Sequence, residues 1–396
     1  AHVLSAQNVR NHLFDDARVH ARGYDRAVHA ASEPRRNPPR DTGRDMSRDM
    51  IRDTARDHRA DLDWRTDRLL GAPFEEAPLG PATLVRSLAR PAAPRAVVLH
   101  VHGYNDYFFQ AHLARAFEDA GLALFAVDLR RAGRSLLDGA PDGAGEAVAP
   151  PHYAASLREP GADLTAAASA VRALEPGHPL VVHAHSTGGL TAALWTHAVR
   201  DDPDDGPDLL VLDSPFFSLG GTRLQDAGRA TVLEVLGRRR PLAVVSAHPS
   251  IYAERQHVDH GGRWDFDTSL KRPEGLPVRA GWLRTVSRAQ ARLTRGLAVP
   301  CPVLVARSDA SGPDRRDNPR LDAQDTVLDV ARIAALTPRV GPDVRALVVP
   351  GGVHDLALSA DGPRQAYLDG VLSWIEARRP DVHRPDVHRP DPEECP

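Results

Sequence analysis

The run Val182-His183-Ala184-His185-Ser186-Thr187-Gly188-Gly189-Leu190 sets a serine between an apolar stretch and a helix-forming one. Small residues lie two positions to either side, approximating G-x-S-x-G with Ala184 where the first glycine would stand. A serine at so sharp a strand-to-helix turn adopts strained backbone angles, and bulk two residues away would collide with neighbouring backbone. Such a turn lifts the hydroxyl to the exposed top of a sheet, where the start of the following helix favours developing negative charge. The chemistry that suits this arrangement is nucleophilic attack on a carbonyl.

Attack by a hydroxyl needs a base, an acid to orient it, and donors for the oxyanion. Val349-Pro350-Gly351-Gly352-Val353-His354-Asp355 supplies a histidine on a Gly-rich loop between the last apolar run and the last helical segment. Of 19 histidines, His354 alone is placed there, and it is the expected base. His183 is expected to point into the sheet and His185 to occupy the variable elbow position, so neither is chosen. Val101-His102-Gly103-Tyr104 ends an earlier apolar run. There the Tyr104 N–H, with that of Thr187, would cradle an oxyanion, while His102 reads as a buried histidine bonded to backbone. Two carboxylates follow the run Pro302–Ala306, Asp309 at once and Asp325 after a polar loop, and chain distance does not choose between them.

These groups must be carried by a regular frame. Apolar runs at 96–101, 123–127, 180–184, 209–212, 302–306 and 344–349 are bounded by Gly, Pro or Asp, as suits strands buried on both faces. Stretches 107–120, 162–174, 188–200, 326–336 and 363–378 carry helical spacing, for example Tyr367, Val371, Trp374 and Ile375. Alternating strand and helix predicts an α/β fold, a parallel sheet with helices on both faces and functional loops at the strands' carboxyl ends. Residues 216–299 are too long for a crossover and are expected to form a helical cap.

The frame occupies residues 64–379. Residues 1 to about 63 have little to bury, and Arg-Asp recurs every four residues at 44–45, 48–49, 52–53 and 56–57, which predicts a solvated helix or disorder. The tail, 380–396, repeats Asp-Val-His-Arg-Pro and is read as low-complexity and disordered, with His383 and His388 not fixed together as metal ligands. Fifty basic and 53 acidic side chains leave a formal charge of -3, which argues against a nucleic-acid binder. Lys271 is the only lysine, so the arginine excess reads as mutational bias rather than guanidinium chemistry. No apolar run approaches the ~18 residues that cross a bilayer. The first residues carry neither a basic segment nor an apolar stretch of export type. Cys301 and Cys395 cannot make a disulfide framework, and a reducing, cytoplasmic setting is expected.

The order strand with His-Gly, strand with elbow serine, aspartate, histidine resembles the α/β-hydrolase fold over about residues 90–379. Within it the chain resembles the branch of monoacylglycerol lipases, lysophospholipase-like proteins and serine aminopeptidases. Asp128-Leu129-Arg130-Arg131-Ala132-Gly133-Arg134-Ser135 is similar to that branch's D-x-R-G-x-G-x-S loop, departing from it at Arg131 and Ala132. Asp325-Thr326-Val327-Leu328-Asp329-Val330 matches the D-x-V-V-D-P-like run that the branch's acid opens. The resemblance therefore puts the acid at Asp325, with Asp309 second and Asp329 third. It implies a mostly parallel, doubly wound sheet with a helical cap, and two-step acyl transfer at Ser186 without metal or organic cofactor.

The cap decides the substrate. Phe216, Phe217, Trp264, Phe266 and Trp282 cluster in or beside it, and His102, Gly103, Phe216, Trp264 and Trp282 are the candidate substrate contacts, though the same rings could simply pack the cap onto the core. His257, Asp259 and His260 lack a third partner at ligand spacing and are read as a polar loop. The leading expectation is a carboxylester hydrolase acting on a lipid-like or small acyl ester. A peptidase or amidase on the same fold and a non-enzymatic binding protein docking through the Arg-Asp segment are the other two.

Overall fold

Among the described residues nine strands make one sheet, and the six at its centre and one edge run parallel. The structure, a computed structural model, describes residues 62–137, 149–202, 206–219, 223–247 and 249–378. The Arg-Asp segment and the repeated tail lie outside those residues. In chain order the first half contains β1 (Arg65–Thr66), β2 (Phe74–Leu79), β3 (Ala82–Ser87), β4 (Val97–Val101), α1 (Ala111–Asp119), β5 (Ala123–Asp128), α2 (Arg134–Leu137), α3 (Arg158–Leu174), β6 (Leu180–His185) and α4 (Ser186–Ala198). The second contains β7 (Leu209–Asp213), α5 (Arg223–Arg239), β8 (Val244–Ser246), α6 (Ile251–Gln256), β9 (Val278–Arg279), α7 (Ala280–Thr294), β10 (Val303–Ser308), α8 (Val330–Leu336), β11 (Val344–Val349) and α9 (Asp361–Arg378).

The sheet order is β1-β2-β3-β5-β4-β6-β7-β10-β11, with every pairing from β5 to β11 parallel and the β1–β2–β3 end antiparallel. Strands β4 to β7 are buried throughout, because helices cover both faces. Alternation along β4 divides the core in two. Val97, Leu99 and Val101 face α3, α4 and α7, whereas Val98 faces α1 and α9 through Leu113, Phe117, Tyr367 and Val371. Each such aliphatic or aromatic side chain contributes about 1.5–3 kcal/mol on burial.

The antiparallel β1–β3 end was not legible as strands, because its sequence is dense in charge and proline. Glu76, fully buried on β2, shows why it folds so: the guanidinium groups of Arg65 and Arg68 bind it at 2.9 and 2.7 Å. Arg134, also fully buried, spans Asp67 and Asp128 with bonds of 2.6 to 3.0 Å and ties this end to the loop after β5.

The excursion between β7 and β10 contains α5, β8, α6, β9 and α7, with β8 and β9 forming a separate two-stranded sheet. Among the described residues, no helix is long and apolar enough to cross a membrane.

Candidate active site

Ser186 begins α4 directly after β6 with φ 53°, a left-handed angle that costs a non-glycine residue about 1–3 kcal/mol. The turn is tight because α4 starts against the end of β4. A Cβ on Gly188 would lie 2.9 Å from the Val101 carbonyl oxygen and closer still to that of His102. Ala184, where the resembled pattern has glycine, is fully buried between β4 and β7 and its methyl is accommodated there.

The Ser186 Oγ lies 3.0 Å from His354 Nε2, and His354 Nδ1 lies 3.0 Å from Asp325 Oδ2. With Nδ1–H donating to the carboxylate, Nε2 is left free to accept from the hydroxyl. Asp325 is fully buried, and its other oxygen accepts the N–H groups of Val327 and Leu328 at 2.8 and 2.7 Å, which fixes the carboxylate's direction. The other two aspartates lie elsewhere. Asp309 accepts the Gly351 N–H at 2.9 Å and so holds the start of the histidine loop, while Asp329 caps α8.

The N–H of Thr187 is one of the unpaired donors of a helix's first turn, and Tyr104 follows the end of β4 by three residues. Neither has a partner among the described residues. Gly103 permits this approach, since a Cβ there would be 3.1 Å from that of Ser186. His102 uses both ring nitrogens on backbone, Nδ1 to the Gly103 carbonyl at 2.7 Å and Nε2 accepting from the Leu129 N–H at 3.1 Å.

Ser186 is less open than the sequence suggested, with 8 % of its surface exposed. Residues of the 216–299 excursion crowd it. Tyr252 packs edge-on to His354 and accepts the Asp355 N–H at 3.0 Å, Trp282 lies 4.2 Å from the Tyr104 ring, and the Phe216 N–H bonds the Ser186 carbonyl at 2.9 Å. A cavity of about 60 Å³ is lined by His102, Gly103, Tyr104, Thr187 and Trp282. Trp264 is not part of this surround. It stacks on His112 at 4.1 Å and donates to the Leu358 carbonyl, so it fastens the excursion to the segment after His354. The His257 ring likewise bonds the Phe266 carbonyl at 3.1 Å.

Beneath the serine lies a charged cluster that no sequence pattern signalled. His185 sits among Asp106, Asp213 and Asp355, with its ring 4.8 Å from that of His354. Lys271, from the excursion, places Nζ 2.8 Å from Asp106 Oδ1. Burial disfavours the charged form of each, but Lys271 holds the Asp106 carboxyl down to about 2, and Asp355, Asp213 and Asp106 together push His185 up to about 9. One atom each of Asp106, His185 and Asp355 lies within 4.8 Å of the others, a spacing that a cation could bridge. The Lys271 ammonium, 2.8 Å from Asp106, already supplies one compensating charge there. His183, by contrast, bonds Tyr367 Oη and His100 on the sheet's opposite face.

A family profile described as serine aminopeptidase, S33 matches residues 92–360. The chain belongs to that family. Its frame is the α/β-hydrolase fold, mostly parallel and covered by helices on both faces. Among solved structures, a soluble variant of monoglyceride lipase from Saccharomyces cerevisiae aligns at a TM-score of 0.54 and 15% identity, over 80% of this chain and 99% of that one. Monoacylglycerol lipase from Paleococcus ferrophilus gives 0.51 and 16% over 72% and 96%, and a carboxyl esterase from Bacillus coagulans 0.51 and 15% over 81% and 99%. At these identities the likeness is one of fold. No curated protein matches the chain.

Within the family frame Arg131 is informative. It stands where the resembled loop has glycine, and its φ is 61°. The left-handed turn persists because the Arg131 guanidinium bonds the Tyr153 carbonyl at 2.9 Å and Glu159 at 2.8 Å.

Proposed function

We propose that the protein is a serine hydrolase cleaving carboxylic esters through an acyl-enzyme intermediate. The observation that carries this reading is the unbroken relay Ser186 Oγ, His354, Asp325, with both links at 3.0 Å, starting from a strained serine at the head of a helix. Structural neighbours that are named lipases and an esterase agree with it at the level of fold.

In the proposed reaction Ser186 Oγ bonds to the ester's carbonyl carbon as His354 Nε2 takes its proton. Asp325 holds the imidazole in the required tautomer and stabilises the imidazolium. The N–H groups of Tyr104 and Thr187 receive the oxyanion, a contribution of about 3–4 kcal/mol per donor in comparable sites. Collapse expels the alcohol, which leaves with the proton from His354. Water, deprotonated by the same ring, then attacks the acyl-enzyme, and expulsion of the acid restores Ser186.

The test is labelling by a fluorophosphonate together with hydrolysis of 4-nitrophenyl esters. Labelling at Ser186, with turnover abolished in Ser186→Ala, is the expected result, and unchanged turnover in that variant would remove the proposal. The family's description motivates a parallel arm with aminoacyl 4-nitroanilides. Amide turnover well above ester turnover would reassign the enzyme as an amidase with the same residues in the same roles.

A further inference from the structure

Residues 309–325, between β10 and the acid, fold back on themselves. The Asp325 N–H donates to the Ala310 carbonyl at 2.9 Å, and the Asp325 carbonyl accepts the Gly312 N–H at 3.0 Å. Asp314, two residues beyond that tie, is buried, and its Oδ1 accepts the Tyr252 N–H at 2.8 Å. Tyr252 stands in the first turn of α6, which Ser250 caps by accepting the Ala253 N–H at 3.1 Å. Along the rest of its length α6 stays against the same loop. Ile251 packs on Leu321, Arg255 donates to Asp322 at 3.0 Å, and Arg316 donates to Glu254 at 2.7 Å. The two ion pairs are exposed and contribute little. The buried carboxylate and the apolar contact therefore do most to fasten α6 to the loop that ends in the acid.

From α6 the Tyr252 side chain reaches the base. Its Oη accepts the Asp355 N–H at 3.0 Å, and its ring stands edge-on to the His354 imidazole with centroids 6.1 Å apart. That N–H belongs to the peptide joining His354 to Asp355, so the bond fixes the plane on one side of the His354 Cα. Both residues are buried, and without the hydroxyl the N–H would lose its acceptor. The flanking parts of the histidine loop are held from the ends of sheet strands, Gly351 by Asp309 and Leu356 by Asp213. The peptide at His354 itself is held from the excursion.

Building on the ester-hydrolase reading, we propose that Tyr252 is a positioning residue for His354, and that Asp314 acts on the base through it. One loop then sets both partners of the relay. It carries the acid at its end and, through Asp314, α6 and the Tyr252 hydroxyl, it aims the imidazole that the acid must meet. Neither Tyr252 nor Asp314 takes a proton or touches the ester. Their contribution is geometric, and a displacement of about 1 Å at a reacting group costs about 10² in rate.

Fluorophosphonate labelling and hydrolysis of 4-nitrophenyl acetate by the full chain test this, with kcat expressed per labelled site so that misfolded protein does not count. Tyr252→Phe keeps the ring and removes the acceptor. Its kcat and its labelling rate should each fall about tenfold or more, while KM moves less than about twofold. Asp314→Ala should lower kcat in the same way, and Asp314→Asn, which keeps an acceptor oxygen for the Tyr252 N–H, should recover most of that loss. Because both residues act through one peptide, the double variant of Tyr252→Phe with Asp314→Ala should be about as slow as the slower single variant, whereas independent effects would multiply. Wild-type kcat per labelled site in Tyr252→Phe, even with lowered thermal stability, overturns the assignment, and so do effects that multiply. If wild-type Ser186 is labelled in that case, the proposed function stands without it, whereas absence of labelling in the wild type removes both.

Discussion

Lys271 Nζ and Asp106 Oδ1 meet at 2.8 Å, joining the excursion to the loop that carries Tyr104. Next to them Asn105 exchanges two hydrogen bonds with the backbone of Arg272, and the Asp267 N–H donates to the Tyr107 hydroxyl at 2.7 Å. Both charges are buried, and Lys271 also sits over the Phe109 and Phe266 rings. Lysine appears once in a chain with 50 basic residues, at the place where a compact point charge fits between two rings. Lys271→Met strands a buried carboxylate and should destabilise the fold by about 3–5 kcal/mol. Urea unfolding measures it, and the double variant with Asp106→Asn should recover part of the loss. A single variant as stable as wild type would mean that the pair holds nothing together.

The three aspartates considered for the acid make separable predictions. Asp325→Asn leaves the shape intact but loses the acceptor that fixes the His354 tautomer, and kcat should drop by ~10⁴. Asp309→Ala removes the bond to the Gly351 N–H, about 1 kcal/mol of stability, and should change kcat less than tenfold. Steady-state ester hydrolysis decides, and the reverse ranking would move the acid to Asp309.

Side chains at the ends of buried strands were legible, because a strand's end and a following helix fix where a residue goes. Ser186 and His354 were read this way, whereas Asp325 was preferred to Asp309 only through the family resemblance, and the structure brings the three side chains into one relay. Trp264 was not legible in the same sense. Its ring belongs to the excursion, and only tertiary packing sends it onto His112 rather than toward Ser186. The β2–β3 hairpin hid for a related reason. Glu76 reads as a surface residue until Arg65, Arg68 and Arg134 are seen to surround it. The Lys271–Asp106 pair spans 165 positions, a distance over which no local pattern operates.

Gly188 offers a steric test of how closely α4 must approach β4. Gly188→Ala drives a methyl into the carbonyl oxygens of Val101 and His102, neither of which can move without shifting the Gly103–Tyr104 backbone. Overpacking of this kind costs about 1–3 kcal/mol. Displacing an oxyanion donor costs about 10²–10³ in kcat. Thermal unfolding and ester turnover should therefore both suffer, turnover more steeply. A variant with lowered stability and full activity would dissociate the Tyr104 N–H from the reaction.

His185 makes stability depend on pH in a defined direction. Burial lowers its pKa, but the carboxylates of Asp355, Asp213 and Asp106 outweigh burial and raise it to about 9. His354, His183 and His100 also lie near it, and Lys271 acts on it through Asp106. The unfolded-state value is about 6.5. A pKa raised on folding contributes stability that is complete below about 6.5 and is lost as pH rises through about 9. Cys301 does not confuse this window, because burial pushes its thiol up to about 12. Urea unfolding at pH 6, 7.5 and 9.5 should show wild-type stability declining across the series. His185→Gln should be less stable at pH 6 and markedly flatter, because the carboxylates of Asp106 and Asp355, joined above about pH 6 by that of Asp213, whose carboxyl burial pushes up to about 6, then lack their titrating counter-charge. An equal slope in the variant would show that the imidazole is neutral when folded, and that Lys271 alone balances the cluster.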